Sequence, residues 1–395
     1  MKKTLLAAAM AVGFAGVAQA ETSVTLYGIV DAGPGYKQTK VSQGDSWVKS
    51  RDIGLVSGIR NGNRWGMKGV EDLGNGTSAI FNLESGYTLG DGRSAQGNRL
   101  FGRYAYVGLT GANWGTLTLG RQLNVGADTV SSLNPFGVGY DQAGVLSGAF
   151  GASTYGRVDN AIKYLTPDLS GFKFGVLYAG QNSKETGELD DVYYRDEDTS
   201  HWLSLGASYD NGPVSLGASY DRFRTDIRTE VSDNKSTTHM WNIFGAYDFE
   251  VVKAYLGYGQ IRGAAATSTI ASSGLGSTGL NSVFNSFTGV PGGPNYAQTD
   301  GFRQQSWMAG LSANVGDSGK LMASYQGNAT KNKGDEFDGA KGRLHIFSVG
   351  YDHKLSKRTT VYGLVSYGTG KLKFDNQETA KVKSTLVTIG LNHRF

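Results

Sequence analysis

Segments of about ten residues in which apolar and polar side chains alternate recur along most of this chain. The last of them, LVTIGLNHRF, places Val387, Ile389, Leu391 and Phe395 on one face and threonine, glycine, asparagine and arginine on the other. A period of two is that of a β-strand with one apolar face. After residue 20 the chain has no apolar stretch of about 18 residues, the length that a membrane-spanning helix needs. The sequence therefore predicts an all-β fold.

The polar faces of these segments distinguish a membrane barrel from a soluble β-sandwich. They are rich in glycine, serine, threonine and asparagine instead of lysine and glutamate, and the apolar faces carry tyrosine or tryptophan near the segment ends. That composition is typical of strands with a lipid-facing outer side and a polar lumen. Because an unpaired backbone group in hydrocarbon costs several kcal/mol, such strands must close into a barrel.

Turn sequences divide the chain into sixteen predicted antiparallel strands. Seven connections are short, at 71–76, 110–115, 166–171, 210–213, 248–250, 315–319 and 352–358. Eight are long and polar, at 37–57, 90–98, 123–156, 182–200, 223–237, 263–302, 329–341 and 371–381. An even number of strands places both ends of the sheet on the short-turn side. The last strand, which ends at Phe395, is then predicted to pair with the first and remove both sheet edges.

The amino terminus reads as a secretion signal. Lys2 and Lys3 precede an apolar run, and Ala18-Gln19-Ala20 forms a small-x-small cleavage site. We therefore predict a cleaved signal peptide at 1–20 and one barrel domain at 21–395. Without the two lysines, the formal charge falls from +4 to +2, and no basic stripe that would suggest nucleic-acid binding remains.

The sequence points to no cofactor. The chain has no cysteine, which excludes disulfide scaffolds and thiolate metal sites. Phosphate-binding loops, metal motifs and nucleotide fingerprints are absent from the sequence as well, and its isolated Gly-x-Gly pairs are typical of turns.

Seven motifs in order resemble those of Gram-negative general porins, in particular the neisserial and β-proteobacterial branch. They cover nearly the whole mature chain: SVTLYGIVDAG (23–33), NRWGMKGVEDLGNG (63–76), LFGRYAYVGLTG (100–111), LTLGRQ (117–122), RVDNAIKYLTPDLSGF (157–172), YDHKLSKRT (351–359) and GLNHRF (390–395). The resemblance implies a homotrimer in the outer membrane, in contact with lipid and lipopolysaccharide, that passes ions and small hydrophilic solutes. It also implies that the first few strands and the last bury against neighbouring subunits. Finally, it implies that Phe395, with Leu391, Ile389 and Val387, is read by the barrel-assembly machinery.

The third long connection is the candidate for a loop that narrows the pore. Residues 124–156 lack a strand pattern, and a loop of that length is unusual unless it is functional. It resembles the loop that porins fold into the barrel, with Pro135 and Phe136 near its middle and Asp128 and Asp141 as its acids. For the long stretch at 263–302, which is low in complexity, we expect a surface position.

Arginines on the barrel strands are the candidates for the opposing wall. Alternation places Arg64 with Lys68, opposite Trp65 and Met67. It also places Arg103 with Ala105 opposite two tyrosines, Tyr104 and Tyr106. Arg157, Asp159 and Lys163 are predicted to share a third such face, opposite Val158, Ile162 and Tyr164. Since a lipid-facing arginine near the bilayer midplane costs roughly 2–4 kcal/mol, all of these cations are expected to face the lumen.

The sequence leaves two features of this wall open. Arg121 has the parity of lipid-facing Leu117 and Leu119, but it follows Gly120, where a β-bulge could reorient it. By motif position Arg64, Arg103 and Arg157 resemble the porin basic cluster. Many porins place a carboxylate beside the Pro-Phe of the loop, and here Pro135 is followed directly by Phe136. We therefore predict a weak preference for anions.

Three rival functions are compatible with an outer-membrane barrel. An enzyme would need a nucleophile, a base and an orienting group, and no histidine lies in such a motif; the five are His201, His239, His345, His353 and His393. A closed structural or adhesive barrel is disfavoured only by the barrel size and the glycine- and serine-rich inner faces. A plugged transporter would need an amino-terminal plug and more strands than this chain can supply.

Overall fold

The computed structural model describes residues 23–154, 156–189, 192–229, 232–263, 301–334, 339–375 and 377–395. The predicted signal peptide and nearly all of the stretch at 263–302 lie outside these residues. Seventeen strands are found in the described ranges: β1 (Ser23–Gln43), β2 (Ser46–Ser57), β3 (Arg64–Asp72), β4 (Thr77–Gly86), β5 (Tyr104–Gly111), β6 (Gly115–Leu123), β7 (Arg157–Leu165), β8 (Phe172–Leu189), β9 (Val192–Asn211), β10 (Val214–Thr229), β11 (Ser232–Asp248), β12 (Val252–Arg262), β13 (Arg303–Val315), β14 (Gly319–Lys331), β15 (Lys341–Lys354), β16 (Thr359–Phe374) and β17 (Gln377–Arg394).

All strand pairs are antiparallel, and the sheet closes on itself. From β3 to β17 each strand pairs with the next, and β17 pairs with β1. Both β2 and β3 pair with β1, β2 along residues 32–43 and β3 along residues 23–29. They are therefore two segments of one wall strand, and the barrel has sixteen strands around its circumference, as predicted.

The carboxyl terminus forms the closing seam. The backbone N–H of Phe395 donates to the carbonyl oxygen of Gly28 at 3.2 Å, and the N–H of Gly28 donates to the oxygen of Phe395 at 3.1 Å. The register continues from Ile29 opposite Arg394 to Gln43 opposite Ala380. The pairing of the last strand with the first is thus confirmed to the final residue, and it leaves neither end of the sheet with an open edge.

Apolar side chains alternate outward along the wall. Phe172, Phe174 and Tyr178 on β8 are 47–48% exposed, whereas Leu177 and Ala179 between and beyond them are fully buried on the inner side. In a water-soluble protein such a continuous apolar exterior would be unusual. In a barrel it is the band that faces hydrocarbon.

The seven short connections lie where they were predicted, but several long polar stretches are not irregular loops. Those at 37–57, 182–200, 223–237 and 371–381 are mostly β-hairpins, formed by β1–β2, β8–β9, β10–β11 and β16–β17. Alternation between apolar and polar residues stops where the strands leave the membrane. The backbone ladder continues, because it satisfies the backbone groups equally well in water.

The third long connection folds into the lumen. Residues 124–156, here called the inward loop, contain helix α2 (Val125–Thr129) and two 3₁₀ turns (Asp141–Ala143 and Gly151–Thr154). Helix α1 (Ala95–Asn98) lies in the connection between β4 and β5. No helix in the described ranges is long and apolar enough to cross a membrane.

Candidate functional site

The inward loop packs against one side of the inner wall, formed by strands from β10 to β17. Its apolar side chains enter two clusters with inward-facing wall residues, and both clusters are nearly inaccessible to solvent. The loop contributes Val130, Leu133, Val145, Phe150, Phe136, Tyr140 and Ala143, and the wall contributes Phe244, Tyr255, Met308, Met322, Tyr362, Leu364 and Leu386. Pro135 and Phe136 thus anchor the loop as well as line the cavity beside it.

Wall polar groups fix the loop backbone. The carbonyl oxygen of Ala149 accepts hydrogen bonds from Gln304 Nε2 at 3.0 Å, Ser306 Oγ at 2.9 Å and Asn328 Nδ2 at 3.1 Å. Gln326 Nε2 donates to the carbonyl oxygen of Ala143 at 2.6 Å. Serine, asparagine and glutamine on the inner faces therefore satisfy loop backbone groups that would otherwise be buried without a partner.

Glycines on the wall make this close approach possible. A Cβ atom on Gly217 would lie 2.1 Å from the carbonyl oxygen of Thr129, and one on Gly310 would lie 2.5 Å from Cγ of Pro135. Real Cβ contacts are not that short, so any larger residue would push the loop from the wall. Some of the glycines on the inner faces thus allow the inward loop to pack directly against the wall.

A second inward excursion meets the loop. Residues 58–63, here called the elbow, separate β2 from β3 and enter the lumen. The N–H of Tyr140 donates to the carbonyl oxygen of Ile59 at 2.5 Å. Arg60 donates to Asp352 of β15 through Nη2 at 2.8 Å and Nε at 3.0 Å, and the Tyr140 hydroxyl donates to the same carboxylate at 2.5 Å.

This junction joins three separate parts of the chain, namely the elbow, the inward loop and β15. Burial raises the pKa of the Tyr140 phenol, and the Asp352 carboxylate acts in the same direction. Tyr140 therefore remains a neutral donor at all ordinary pH values. Asp352 offsets the charge of Arg60 while it holds the loop.

Both acids of the inward loop are paired with lysines. Asp128 Oδ2 lies 2.9 Å from Lys163 Nζ on β7, and Asp141 pairs with Lys37 on β1. Burial raises the pKa of the Asp128 carboxyl, while the Lys163 ammonium acts in the opposite direction. The two loop carboxylates are therefore neutralised locally and do not present an uncompensated negative surface.

Arg64, Lys68 and Arg103 lie near one another around Glu84. Arg103 Nε donates to Glu84 Oε1 at 2.5 Å, and the Tyr27 hydroxyl donates to Glu84 Oε2 at 3.0 Å. Lys68 Nζ lies 5.7 Å from the centre of the Tyr27 ring. Arg64 Nε donates to the carbonyl oxygen of Gly62 in the elbow at 2.9 Å.

The prediction that Arg103 shares an inward face with Ala105 was wrong about Ala105, and alternation is not what places Arg103. β5 begins at Tyr104, so Arg103 precedes the strand and does not obey its alternation. Ala105 shares the outer face with Val107 and Leu109, which are 56% and 41% exposed. Tyr106 faces inward, where it contacts Asn82. Arg103 nevertheless reaches the interior through its ion pair with Glu84.

Alternation also failed along the first half of β7. Asn160 has a φ of +53°, and the register with β6 shifts at Gly120 and Gln122. Val158, predicted on the outer face, is therefore fully buried inside and packs with Val125 and other buried residues. Arg157 begins the strand at the base of the inward loop and is only 8% exposed.

Arg121 lies at a β-bulge between Gly120 and Gln122, the alternative that the sequence left open for it. Gly120 has a φ of +127°, and the register shift follows directly. The guanidinium of Arg121 pairs with Asp159 and donates from Nε to the carbonyl oxygen of Gly102 at 2.9 Å. Arg99 Nη1 donates to the other oxygen of Asp159 at 2.7 Å, and these residues line a cavity of about 510 Å³.

Sequence reasoning missed part of the site. Arg60, Lys37 and Arg99 were not among the candidates, nor were the carboxylates Glu84 and Asp352. Arg60 had a signal, since the sequence SGIRNGNRW contains glycines and asparagines that interrupt a strand pattern. Lys37 lies at the first position of the long polar connection at 37–57, and Arg99 directly follows the one at 90–98, so alternation assigned neither of them to a strand face.

Positive charge exceeds negative charge around the inward loop and the wall that faces it. Nine cations lie there against seven carboxylates: Lys37, Arg60, Arg64, Lys68, Arg99, Arg103, Arg121, Arg157 and Lys163, with Asp31, Glu84, Asp128, Asp141, Asp159, Asp221 and Asp352. Toward the short turns a cavity of about 790 Å³ is lined by Lys320, Lys354 and Arg394 in addition to Arg60, and by one further carboxylate, Asp317. A confined aqueous space with such an excess lowers the electrostatic energy of anions.

Comparison with known proteins supplies the context for this geometry. The family profile described as Gram-negative porin matches residues 6–373. An outer membrane porin protein of Bordetella pertussis is 39% identical over the full length of both chains. The solved structure of an anion-selective porin from Comamonas acidovorans has a TM-score of 0.64 at 25% identity, and the match covers 95% of this chain and 100% of that one. OmpT of Vibrio cholerae in its trimer form has a TM-score of 0.57 at 14% identity, with 95% and 99% covered.

Proposed function

Because the chain belongs to the Gram-negative porin family, we propose that the inward loop and the cations around it form the selective constriction of a weakly anion-preferring channel. The protein is a general diffusion porin of the outer membrane. The observation that carries the finer proposal is the excess of nine cations over seven carboxylates at the narrowing. The relative described as anion-selective adds support.

The preference for anions should be modest. Seven carboxylates lie within the same region, and several form direct ion pairs with the cations. At 0.15 M salt the Debye length is about 8 Å, which is comparable with the radius of a narrowed pore. Mobile ions therefore screen much of the residual positive charge, and the channel admits cations as well.

The basic wall in this proposal comprises Arg64, Lys68, Arg103, Arg121, Arg157 and Lys163, together with Arg60 and Lys37. Arg60 has a double role, because it contributes charge and also holds the inward loop through Asp352. The size of the passage is then set by the loop position, and its sign preference is set by the cations.

The assembly is proposed to be a homotrimer, as in the trimer form of OmpT. The first few strands and the last would supply the subunit contacts. Residues 1–20 are proposed to be removed as a signal peptide. The exposed side chains of Val387, Ile389, Leu391 and Phe395 on the closing strand would be read by the barrel-assembly machinery, and lipid and lipopolysaccharide would surround the trimer.

The family is one of channels and not of enzymes, and we assign no catalytic site. His201, His239 and His345 each lie 2.8 Å from a tyrosine hydroxyl on the outer face, and His393 lies 2.9 Å from the Thr359 hydroxyl. These contacts support a role for the histidines at the membrane interface.

Conductance in a planar bilayer tests the proposal. Purified, folded protein should insert with stepwise increases in current that close in groups of three, and proteoliposomes should swell in isotonic solutions of small neutral sugars. Folded, inserted protein that passes neither ions nor sugars would contradict the channel and favour a closed structural barrel.

A further inference from the structure

Five cations on the outer face of the barrel lie directly opposite one another across five neighbouring strands. Arg262 on β12 pairs in register with Arg303 on β13, which pairs with Lys331 on β14. Lys331 pairs with Lys341 on β15, and Lys341 pairs with Lys373 on β16. We call these five residues the basic row, and all five are exposed.

The orientation of the basic row follows from the strand faces. On β12 Arg262 shares its face with Leu256 and Tyr258, which are 67% and 37% exposed. On β16 Lys373 shares its face with Val365 and Tyr367, which are 55% and 40% exposed. The basic row therefore points away from the lumen, on the same side as the apolar band.

The basic row lies farther from the membrane centre than the apolar band of the outer face, on the side of the long connections. On each strand the outermost aromatic residue is four or six positions from the cation, on the side of the membrane centre: Tyr258, Trp307, Tyr325, Phe347 and Tyr367. At about 3.3 Å per residue and a strand tilt of about 40°, the cations are roughly 10–15 Å farther from the membrane centre than these aromatics. That is the level of the headgroups of the outer leaflet.

Four consecutive like-charge pairs need a compensating charge. Like charges directly opposite across a β-ladder are destabilising, and a second row, Arg343, Lys371 and Lys381, repeats the pattern two positions closer to the membrane on β15–β17. In the ranges that the structure describes, none of the five basic-row residues forms an ion pair with a carboxylate. Arg262 donates to Gln260 on its own strand at 3.1 Å.

The outer wall is not basic all the way round. Near the long connections the outer faces of β3–β5 carry Trp65, Ser85 and Ala105, and no basic row crosses these described strands. Opposed lysines also occur on β17, β1 and β2, where Lys40 lies opposite both Lys383 and Lys49. The basic row itself lies on β12–β16, outside the first strands and the last, which the trimer proposal assigns to subunit contacts, and so on strands that would face lipid.

We propose that the basic row binds the phosphate groups of phosphorylated glycolipid in the outer leaflet. Phosphate carries one or two negative charges and several acceptor oxygens, so one group can neutralise two neighbouring cations of the row. The acyl chains of the same lipid pack on the aromatics and aliphatics below. This inference rests on the proposed orientation of the trimer, but not on the selectivity of the pore.

A charge-removal variant tests the proposal in the full-length protein. Arg303→Gln, Lys331→Gln and Lys341→Gln together remove the middle of the basic row. The matched control, Lys173→Gln with Lys357→Gln and Arg358→Gln, removes three exposed cations at the short-turn end. Folded protein in neutral detergent is titrated with bisphosphorylated lipid A that carries a dansyl group, and energy transfer from the tryptophans, including Trp307 beside the row, reports binding.

The row variant should bind lipid A on the order of 100-fold more weakly, because each basic residue near an anionic lipid surface contributes about fivefold in affinity. The control should change by less than about twofold over the same titration. Lipid A stripped of both phosphates should bind the wild type as weakly as the bisphosphorylated form binds the row variant. Unchanged binding by the row variant, an equal loss in the control, or tight binding of the stripped lipid would each overturn the proposal.

Single-channel conductance of the row variant separates this inference from the proposed function. A wild-type conductance would show that the variant is folded and that the pore is intact, so a loss of lipid binding is then a property of the outer face alone.

Discussion

Replacement of Asp352 by asparagine should increase the preference for anions. Asp352 is the carboxylate that Arg60 and Tyr140 share, and its side chain is only 9% exposed. Asparagine has nearly the same shape and can still accept a hydrogen bond from Tyr140. The main change is the loss of one negative charge beside Arg60, at the edge of the passage.

The magnitude follows from Coulomb's law. In water, the interaction energy between a unit charge and an ion roughly 7 Å away is about 0.6 kcal/mol, which is close to RT. The concentration of chloride in the passage should rise, and that of potassium should fall, each by a factor of up to about 2.7 before screening. We expect the chloride-to-potassium permeability ratio to increase about two- to threefold after screening.

Reversal potentials in a planar bilayer under a KCl gradient measure this ratio directly. Asp352→Asn should shift the reversal potential farther in the direction of chloride than wild type. A shift toward potassium, or no shift in a channel of normal conductance, would refute the placement of Asp352 and Arg60 at the passage.

Tyr140→Phe is the matched control, because it removes the other hydrogen bond of the junction and leaves every charge in place. A hydrogen bond to a charged group contributes about 1.5–3 kcal/mol, so the inward loop should be held less firmly. We expect noisier current with an unchanged reversal potential. If Tyr140→Phe shifts the reversal potential as much as Asp352→Asn does, loop position and not charge controls selectivity.

Four other outcomes are expected. Gly217→Val should displace the inward loop, because even a Cβ would lie 2.1 Å from a loop carbonyl oxygen, and single-channel conductance should change while Gly217→Ala has a smaller effect. Lys68→Glu should lower the chloride-to-potassium permeability ratio by about fivefold or more, since it changes the wall by two charges, and the reversal potential again measures it. Acidification from about pH 7 to about pH 4 should increase the anion preference, because the raised pKa of Asp128 allows its carboxyl to take up a proton and leaves Lys163 uncompensated; Asp128→Asn should abolish that part of the response. Deletion of Phe395 should reduce the heat-modifiable, folded fraction in outer membranes, because it removes the two backbone hydrogen bonds to Gly28, and a wild-type level of folded protein would contradict a role for the terminus.

The barrel could be predicted from the sequence because its determinants are local. Alternation in segments such as 172–178 and 387–395 fixes which face meets lipid, and turn residues mark the short connections. The strand count follows from these two signals. The seam at Phe395 followed as well, because an even-stranded sheet with an apolar last strand has one place to bury its edge.

The site could be predicted only in part, because it depends on departures from regular strands. Arg103 was assigned to the interior for the wrong reason, since β5 starts one residue after it. The bulge at Asn160 reverses the faces of β7, and its only local signal is the asparagine itself, a residue that tolerates positive φ. The junction of Arg60, Tyr140 and Asp352 joins residues up to 292 positions apart, so it depends on the closed barrel and cannot be read from any one segment.

The sign of the reversal potential of the wild-type protein under a KCl gradient tests the central claim most directly. The account predicts a reversal potential of chloride sign with a modest permeability ratio, because a small excess of positive charge surrounds an inward loop whose acids are already paired. A reversal potential of potassium sign would contradict it, and would mean that the cations around the inward loop do not govern the ions that pass.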